Sequence, residues 1–156
     1  MKKLIVPILL LSSTLSVAQN RTGDRNDHRN NNRNDPPSTV QQNFQRDNPN
    51  RNANWSQKNN DWHATYKDDN ARDVNAYYDR RGRRTETRTT WSRNEVPRDL
   101  DNRIDRMYHT KNYNAVRIER PNSQPLFQIL LNLGGGRNRT VYMDEKGRQK
   151  QYNDRY

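Results

Sequence analysis

The side chains that most often carry out catalysis are few in this 156-residue chain, and their spacing is not typical of an active site. There is no cysteine, so a thiolate nucleophile and a disulfide are both excluded. The three histidines, His28, His63 and His109, lack the spacing of metal ligands. No serine lies in a Gly-x-Ser-x-Gly turn, and the glycine run 134–136 lacks the following Lys-Ser/Thr of a phosphate loop. The sequence predicts a protein that is not an enzyme and needs no metal or cofactor.

Arginine dominates the charged side chains and favours anionic partners. The chain has 29 lysines and arginines against 18 aspartates and glutamates, a net charge of +11, and loss of Lys2 and Lys3 with a leader would leave +9. Between residues 80 and 93 the one acidic residue is Glu86, and the arginines are Arg80, Arg81, Arg83, Arg84, Arg88 and Arg93. Such a run suits either an anion-attracting surface or a simple solvated hairpin.

The elements that must position these side chains are encoded twice. Residues 37–83 are echoed by residues 97–148 at offsets of sixty and then sixty-five. The matched pairs are Pro37/Pro97, Val40/Leu100, Phe44/Ile104, Trp62/Phe127, Ala64/Ile129, Tyr66/Leu131, Arg72/Arg137, Tyr77/Tyr142, Asp79/Asp144, Gly82/Gly147 and Arg83/Arg148. A repeat of this length indicates one supersecondary unit used twice.

Each unit begins with the pattern of an amphipathic helix. Pro37 and Pro97 suit a first helical turn, because their fixed φ is already helical. Apolar stripes follow at helical spacing: Val40 and Phe44 in the first unit, and Leu100, Ile104, Met107 and Tyr108 in the second. A possible capping box at Ser92 and Glu95 precedes the second helix.

After each helix the apolar period changes from near four to two, which predicts strands. The expected strands are 53–56, 62–67, 72–78 and 83–91 in the first unit, and 115–119, 127–133, 137–143 and 148–152 in the second. Asp79 with Gly82, and Asp144 with Gly147, have the spacing of type I hairpin turns. The predicted fold class is α+β, with two tandem helix-plus-four-strand repeats forming one antiparallel sheet with helices on one face.

Strand alternation then assigns a core side and a solvent side to the sheet. If Trp62, Ala64 and Tyr66 point towards the helices, then Thr85, Thr87, Thr89 and Trp91 share that side, and Tyr77, Tyr142, Arg84, Glu86 and Arg88 point away. Tyrosine and arginine are favoured at protein interfaces. The candidate partner-binding residues are His63, Tyr77, Tyr142, Arg81, Arg84 and Arg88. Tyrosine also suits strands for cross-strand pairing alone, so a structural role stays open.

The N-terminal residues have the pattern of an export signal. Lys2 and Lys3 precede a short apolar stretch, and Ser16-Val17-Ala18 suits cleavage between Ala18 and Gln19. The stretch is too short to span a bilayer, and the lack of cysteine excludes a lipoprotein anchor. We expect a signal peptide over 1–18, a disordered Asn/Arg/Asp-rich tether over 19–36, and one domain over 37–152 with repeats at about 37–91 and 96–152. The expected location is periplasmic or secreted.

Short motifs in both units resemble those of a known family. The Trp62-x-Ala64-x-Tyr66 and Phe127-x-Ile129-x-Leu131 strands, the repeated Tyr-x-Asp-x-x-Gly-Arg turn and Glu95-Val96-Pro97 resemble the PepSY-like family of exported bacterial proteins, whose fold is similar to the β-lactamase inhibitor protein. The resemblance covers residues 37–152. It implies tandem repeats joined into one antiparallel sheet, and protein binding or inhibition without catalysis. The basicity and the Asn/Arg-rich tether depart from that family.

These patterns together predict an exported non-enzymatic module that binds or inhibits an extracytoplasmic protein through its open sheet face. The alternative is electrostatic binding of anionic envelope polymers or extracellular nucleic acid, in which arginines would contact the charges and Tyr77 or Trp91 would stack. A hydrolase is a third reading, which no motif supports. The sequence names neither the partner nor the oligomeric state.

Overall fold

The computed structural model describes residues 35–153, which fold into two helices and one antiparallel sheet. The helices are α1 (Ser38–Asp47) and α2 (Arg98–Tyr108), with a 3-10 turn at Arg93–Glu95. The strands are β1 (Asn54–Lys58), β2 (Asp61–Lys67), β3 (Asp73–Tyr78), β4 (Arg84–Trp91), β5 (Tyr113–Glu119), β6 (Leu126–Asn132) and β7 (Asn138–Met143). The predicted signal peptide, with its cleavage site, and residues 19–34 of the predicted tether lie outside the described residues.

The seven strands lie side by side in the order in which they occur along the chain, and every neighbouring pair is antiparallel. The predicted α+β class with one antiparallel sheet is therefore confirmed. The predicted eighth strand, 148–152, is wrong. Gln149 makes a single bridge to Met143, and the Lys150 N–H donates to the Tyr142 carbonyl at 2.9 Å. The chain then continues without further sheet pairing in the described residues.

Both helices begin directly after the prolines that predict their start. Pro37 and Pro97 are the N-cap residues, and each helix then buries an apolar pair. The buried pairs are Val40 with Phe44 and Leu100 with Ile104, none more than 1% exposed. Neither helix of the described residues is long and apolar enough to cross a membrane.

The second helix departs from prediction at its two ends. Met107 is 38% exposed, so its assignment to the buried stripe is wrong. It lies in the last turn, where Tyr108 packs against the core instead and His109, with a φ of 50°, ends the helix. The capping box does form, with the Ser92 N–H donating to the Glu95 carboxylate at 2.8 Å. It caps the 3-10 turn rather than α2 itself.

The helices cover the same side of the sheet and divide its core into two clusters. One cluster, beneath α1, consists of Val40, Phe44, Trp62, Ala64, Ala76 and Tyr78. The other, beneath α2, consists of Val96, Leu100, Ile104, Tyr113, Ala115, Phe127, Ile129, Leu131, Val141 and Met143. Between them β4 turns Thr87 and Thr89 towards the helix side, and both are buried. Two small apolar cores therefore flank a polar middle strand.

The glycines of the two hairpin turns allow each helix to lie close against its turn. Gly82 has a φ of +77°, and a Cβ there would lie 3.0 Å from the Asn43 amide nitrogen and 3.1 Å from the Thr39 backbone. Gly147 has a φ of +72°, and a Cβ there would lie 2.5 Å from the Arg103 Cβ. Glycine is required at both turns because a side chain would be strained by the backbone and would press on the helix.

This contact gives a prediction with a built-in control. Gly147→Ala should lower the free energy of unfolding by about 1–3 kcal/mol more than Gly135→Ala, the cost of forcing a methyl group into a filled space. Gly135 has a similar φ of +60° but nothing within 4 Å of its added Cβ, so it isolates the backbone strain. Denaturant unfolding of both variants measures the difference. Equal losses would show that α2 does not press on the turn in solution.

Candidate functional site

The side of the sheet opposite the helices, here called the open face, carries four of the six candidate residues. They are His63, Tyr77, Arg88 and Tyr142, each alternating with buried neighbours on its strand. Register places His63 opposite Tyr77 across β2 and β3. The outward direction predicted for the two tyrosines is confirmed.

Arg84 lies on the other side of the sheet, and its predicted outward direction is wrong. In the pairing of β3 with β4, Tyr77 faces Glu86 but Tyr78 faces Arg84, so Thr85 is an extra residue in a β-bulge. Arg84 therefore shares the helix side with buried Tyr78, and its guanidinium lies 3.8 Å from the Asp47 carboxylate. A bulge reverses the alternation from that point onwards, which no simple period-two pattern reveals.

The bulge also changes the direction of Thr85, whereas Arg81 lies in the turn that precedes it. Thr85, expected among the inward threonines, instead donates its hydroxyl to the Tyr77 carbonyl at 3.2 Å. Arg81 is exposed in the turn between β3 and β4, where its backbone N–H donates to the Asp79 carboxylate at 2.9 Å. The structure thus brings neither Arg81 nor Arg84 into the group on the open face.

At the β2–β3 end of the open face, His63 and Tyr77 form a stacked pair. Their ring centroids are 4.6 Å apart and the ring planes differ by 2°. The imidazole Nε2 lies 3.0 Å from the Asn75 amide oxygen and Nδ1 lies 3.3 Å from the Ser56 hydroxyl. The two nitrogens are thereby held on fixed partners, and the imidazole is oriented on the tyrosine ring.

At the centre of the open face, a carboxylate is enclosed by arginines and a phenol. Glu86 is 0% exposed. The Arg88 Nε lies 2.5 Å from one carboxylate oxygen and the Arg120 Nε lies 2.6 Å from the other. The Tyr152 hydroxyl donates to the same carboxylate at 2.8 Å. Each partner is charged or hydrogen-bonded, which is what makes burial of a carboxylate tolerable.

Tyr152 reaches this position because the C-terminal strap, residues 149–153, crosses the open face after its single bridge to β7. Its ring stacks on Tyr142 with centroids 4.5 Å apart and planes 22° apart. The Arg88 and Arg120 guanidiniums lie 5.9 Å and 4.4 Å from the ring centroid. Ile118, which also points to this face from β5, is only 2% exposed, so the middle of the face is covered.

Sequence reasoning missed Tyr152, Arg120 and the role of Glu86. The hydrogen-bonding partners of Tyr152, Arg88 and Glu86, lie 64 and 66 residues away, and the preceding hairpin turn predicts a strand for this segment. The one available signal was Glu86 itself, a lone acid within an arginine run. The sequence also provides no indication of Leu130, an aliphatic side chain on β6 that is 43% exposed on the open face.

The enclosed position of the Tyr152 phenol should raise the pH at which it loses its proton. Burial, the hydrogen bond to Glu86 and the charge of that carboxylate raise the pKa of Tyr152 to about 12, and the opposing charges of Arg88 and Arg120 do not offset this. A free tyrosine titrates near pH ~10. The pKa of Tyr152 is higher in the folded protein than in the unfolded chain. The contact with Glu86 therefore contributes its full stability below the pKa of a free tyrosine, and this stability is lost as the pH rises through about 12.

We expect phenolate absorbance titrations of wild type and Tyr152→Phe to differ by one step near pH 12. Circular dichroism over the same range reports whether the rest of the fold is retained. A difference step near pH ~10, the value of a free tyrosine, would contradict the contact with Glu86.

No group of three or more His, Cys, Asp or Glu side chains that could hold a metal ion occurs in residues 35–153. The arrangement on the open face is one of stacked rings, guanidiniums and a buried carboxylate. Such groups can stack on flat ligands and can donate or accept hydrogen bonds.

Comparison with known proteins identifies relatives of the fold. The sequence matches no protein-family model and no curated protein. A DUF2874 family protein from Bacteroides ovatus is similar with a TM-score of 0.69 and 20% identity, over 75% of this chain and 86% of that one.

Two further solved structures are similar to this chain to nearly the same degree. A predicted periplasmic protein from Bacteroides eggerthii has a TM-score of 0.68 and 18% identity, over 75% of this chain and 87% of that one. A BLIP-like protein from Bacteroides fragilis has a TM-score of 0.67 and 20% identity, over 78% of this chain and 92% of that one. At such low sequence identity the similarity shows the fold alone. The fold of this chain is BLIP-like.

Proposed function

We propose that this protein is an exported, non-enzymatic binding module that binds an extracytoplasmic protein through its open face and excludes other molecules from it. The fold neighbours support this, since one is a predicted periplasmic protein and another is BLIP-like. The leader pattern of residues 1–18 supports export into the periplasm or the medium. We further propose that His63, Tyr77, Arg88 and Tyr142 take part in the contact.

The observation that carries the proposal is a continuous row of contacts across the open face. His63 stacks on Tyr77, the Arg88 guanidinium lies 5.4 Å from the Tyr77 ring and 5.9 Å from the Tyr152 ring, and Tyr152 stacks on Tyr142. Tyrosine and arginine are the side chains most often found at the energetic centre of an interface. Because the His63 and Tyr77 rings are already stacked on each other, binding would cost little of their side-chain entropy.

The same proposal includes a PepSY-like family assignment with two tandem repeats. The support is the matched construction of the two halves. In each, a proline begins the helix, and a Gly at the fourth position of an Asp-x-x-Gly turn lies against that helix. The second half departs from the first where the strap replaces its fourth strand.

Electrostatic binding of an anionic polymer is the second candidate, favoured by the turn between β3 and β4. Arg80, Arg81 and Arg83 are exposed in this turn, and Arg84, the first residue of β4, is exposed next to it. Salt separates the candidates. Binding to a polyanion should weaken by orders of magnitude between roughly 50 and 200 mM salt, because counterions are released. A shape-complementary protein contact should weaken far less over that range.

Two exposed apolar residues on opposite sides of the sheet allow a direct test. Leu130, 43% exposed, lies on the open face, and Met107, 38% exposed, lies on α2. Both can accept a charge without burying it. Immobilised wild type should recover a defined protein from envelope extract, and Leu130→Glu should reduce that recovery about tenfold, as expected when a charge enters an interface.

Met107→Glu should recover as much of this protein as wild type. The proposal is wrong if Leu130→Glu leaves recovery unchanged, or if Met107→Glu alone abolishes it. Quantitative mass spectrometry of the bound fraction, at low and moderate salt, measures both outcomes.

A further inference from the structure

The strap places its tyrosine in a set of contacts that is specific for a phenol. The Tyr152 hydroxyl donates to Glu86 at 2.8 Å and accepts from the Arg88 Nη2 at 3.0 Å. Its ring stacks on Tyr142, and the Arg120 guanidinium lies 4.4 Å from the ring centroid. One acceptor, one donor and two flat partners together match both the polar tip and the ring of tyrosine.

Phenylalanine could occupy the same space but would leave polar groups without their partner. Glu86 is fully buried, and the Tyr152 hydroxyl supplies one of its hydrogen bonds. A buried acceptor that loses its donor is costly, whereas the ring contacts would be unchanged. The hydroxyl therefore gives this position its selectivity.

The start of the strap is held by side-chain as well as backbone contacts. The Gln149 side-chain amide donates to the Tyr108 hydroxyl at 2.5 Å, and the Lys150 ammonium lies 3.7 Å from the Asp144 carboxylate. The Lys150 N–H donates to the Tyr142 carbonyl at 2.9 Å, and the Arg120 Nη2 donates to the Asn153 carbonyl at 3.1 Å.

Gln149, Lys150, Gln151 and Asn153 are exposed, so Tyr152 is the one partly buried residue of the strap. Beyond Lys150 the strap is a short, exposed segment anchored by Tyr152 and by the Arg120–Asn153 hydrogen bond. Such a segment can be released without unfolding the sheet.

We propose that Glu86, Arg88, Arg120 and Tyr142 form a phenol-binding subsite, and that Tyr152 is its intramolecular occupant, which a tyrosine side chain of the protein partner displaces. The inference rests on the proposed function, because it places this subsite on the partner-binding face. Since the occupant belongs to the same chain, its effective concentration is of millimolar order. The apparent affinity for the partner is therefore the intrinsic affinity multiplied by the fraction of time that the strap leaves the subsite free.

The subsite can be tested without knowing the partner. The probe is a fluorescein-labelled hexapeptide with the sequence of residues 149–154, QKQYND, and a matched peptide with phenylalanine in place of tyrosine. Full-length Tyr152→Ala should bind the tyrosine peptide at least about tenfold more tightly than wild type, because its own occupant is gone. It should bind the phenylalanine peptide about tenfold more weakly than the tyrosine peptide, because the hydrogen bonds to charged groups are lost.

Fluorescence anisotropy measures all of these affinities. Equal binding of the tyrosine peptide by wild type and Tyr152→Ala would overturn the proposal, as would equal binding of the two peptides by the variant. Should Tyr152→Ala lack a folded circular dichroism spectrum, Tyr152→Phe keeps the ring stack and removes only the hydroxyl. The Lys150 amide should then exchange with solvent at least about tenfold faster than in wild type, since the lost hydroxyl anchors the strap beside it through hydrogen bonds to Glu86 and Arg88. An unchanged rate refutes the proposal.

Leu130→Glu distinguishes this inference from the proposed function. Leu130 pairs with Thr140 in the sheet, whereas Tyr142 of the subsite pairs with Gln128. Tyr152→Ala with Leu130→Glu should therefore bind the tyrosine peptide as Tyr152→Ala alone does. Loss of partner recovery by Leu130→Glu without any peptide binding refutes the subsite and leaves the proposed function standing. Peptide binding without any Leu130-dependent recovery refutes the proposed function and leaves the subsite.

Discussion

Glu86→Ala should lower the free energy of unfolding by about 3–5 kcal/mol, the usual cost of breaking a buried ion pair from one side. The alanine removes the carboxylate that Arg88 and Arg120 contact at 2.5 and 2.6 Å. The Arg88 side chain, 14% exposed, is then a nearly buried charge without its carboxylate. Tyr152 loses its acceptor as well, so the strap should also be released. Denaturant unfolding, with the midpoint and the slope both fitted, measures the loss.

Glu119→Ala is the matched control for the buried carboxylate. Glu119 forms a comparably short contact, 2.6 Å from the Arg117 guanidinium, but its side chain is 45% exposed. Exposed pairs contribute little, so this variant should lose less than about 1 kcal/mol. If the two variants are equally stable, the group around Glu86 does not organise the open face.

Phe44→Ala should cost about 3–5 kcal/mol, the range measured for deleting a buried phenylalanine. Phe44 is 1% exposed, and its ring contacts Trp55, Tyr66 and Tyr78 edge to face at centroid distances of 5.3, 5.2 and 6.4 Å. Loss of near-ultraviolet circular dichroism should accompany the lower unfolding midpoint.

Gln42→Ala, an exposed position on the same helix, provides the comparison for Phe44→Ala. A surface substitution of this kind should change stability by less than about 0.5 kcal/mol. A similar effect of the two changes would mean that α1 is not anchored to the sheet through Phe44.

The features that the sequence predicted correctly are those set by local rules. A proline fixes φ, so Pro37 and Pro97 predict where the helices begin. Spacing of four residues places Val40 with Phe44, and Leu100 with Ile104, on one helical face, and all four are buried. The open face was predicted by alternation within strands, which holds for as long as the ladder is unbroken.

The features that it did not predict depend on contacts between distant residues. The bulge at Thr85 is set by how β4 pairs with β3, and it moves Arg84 to the helix side. The Asp144-x-x-Gly147 turn predicts a strand over 148–152, yet Tyr152 is held over the open face by Glu86, Arg88 and Arg120. Tertiary hydrogen bonds to a buried carboxylate outweigh a weak local preference, since strand propensity depends on its surroundings.

Recognition through the open face is the central claim, and site-specific photo-crosslinking in living cells tests it most directly. A photoreactive amino acid replaces Leu130 on the open face in one strain and Met107 on α2 in another, both exposed positions. After irradiation, the account predicts that the Leu130 position forms an adduct with one discrete extracytoplasmic protein and that the Met107 position does not. An adduct with that protein from the Met107 position alone would contradict it.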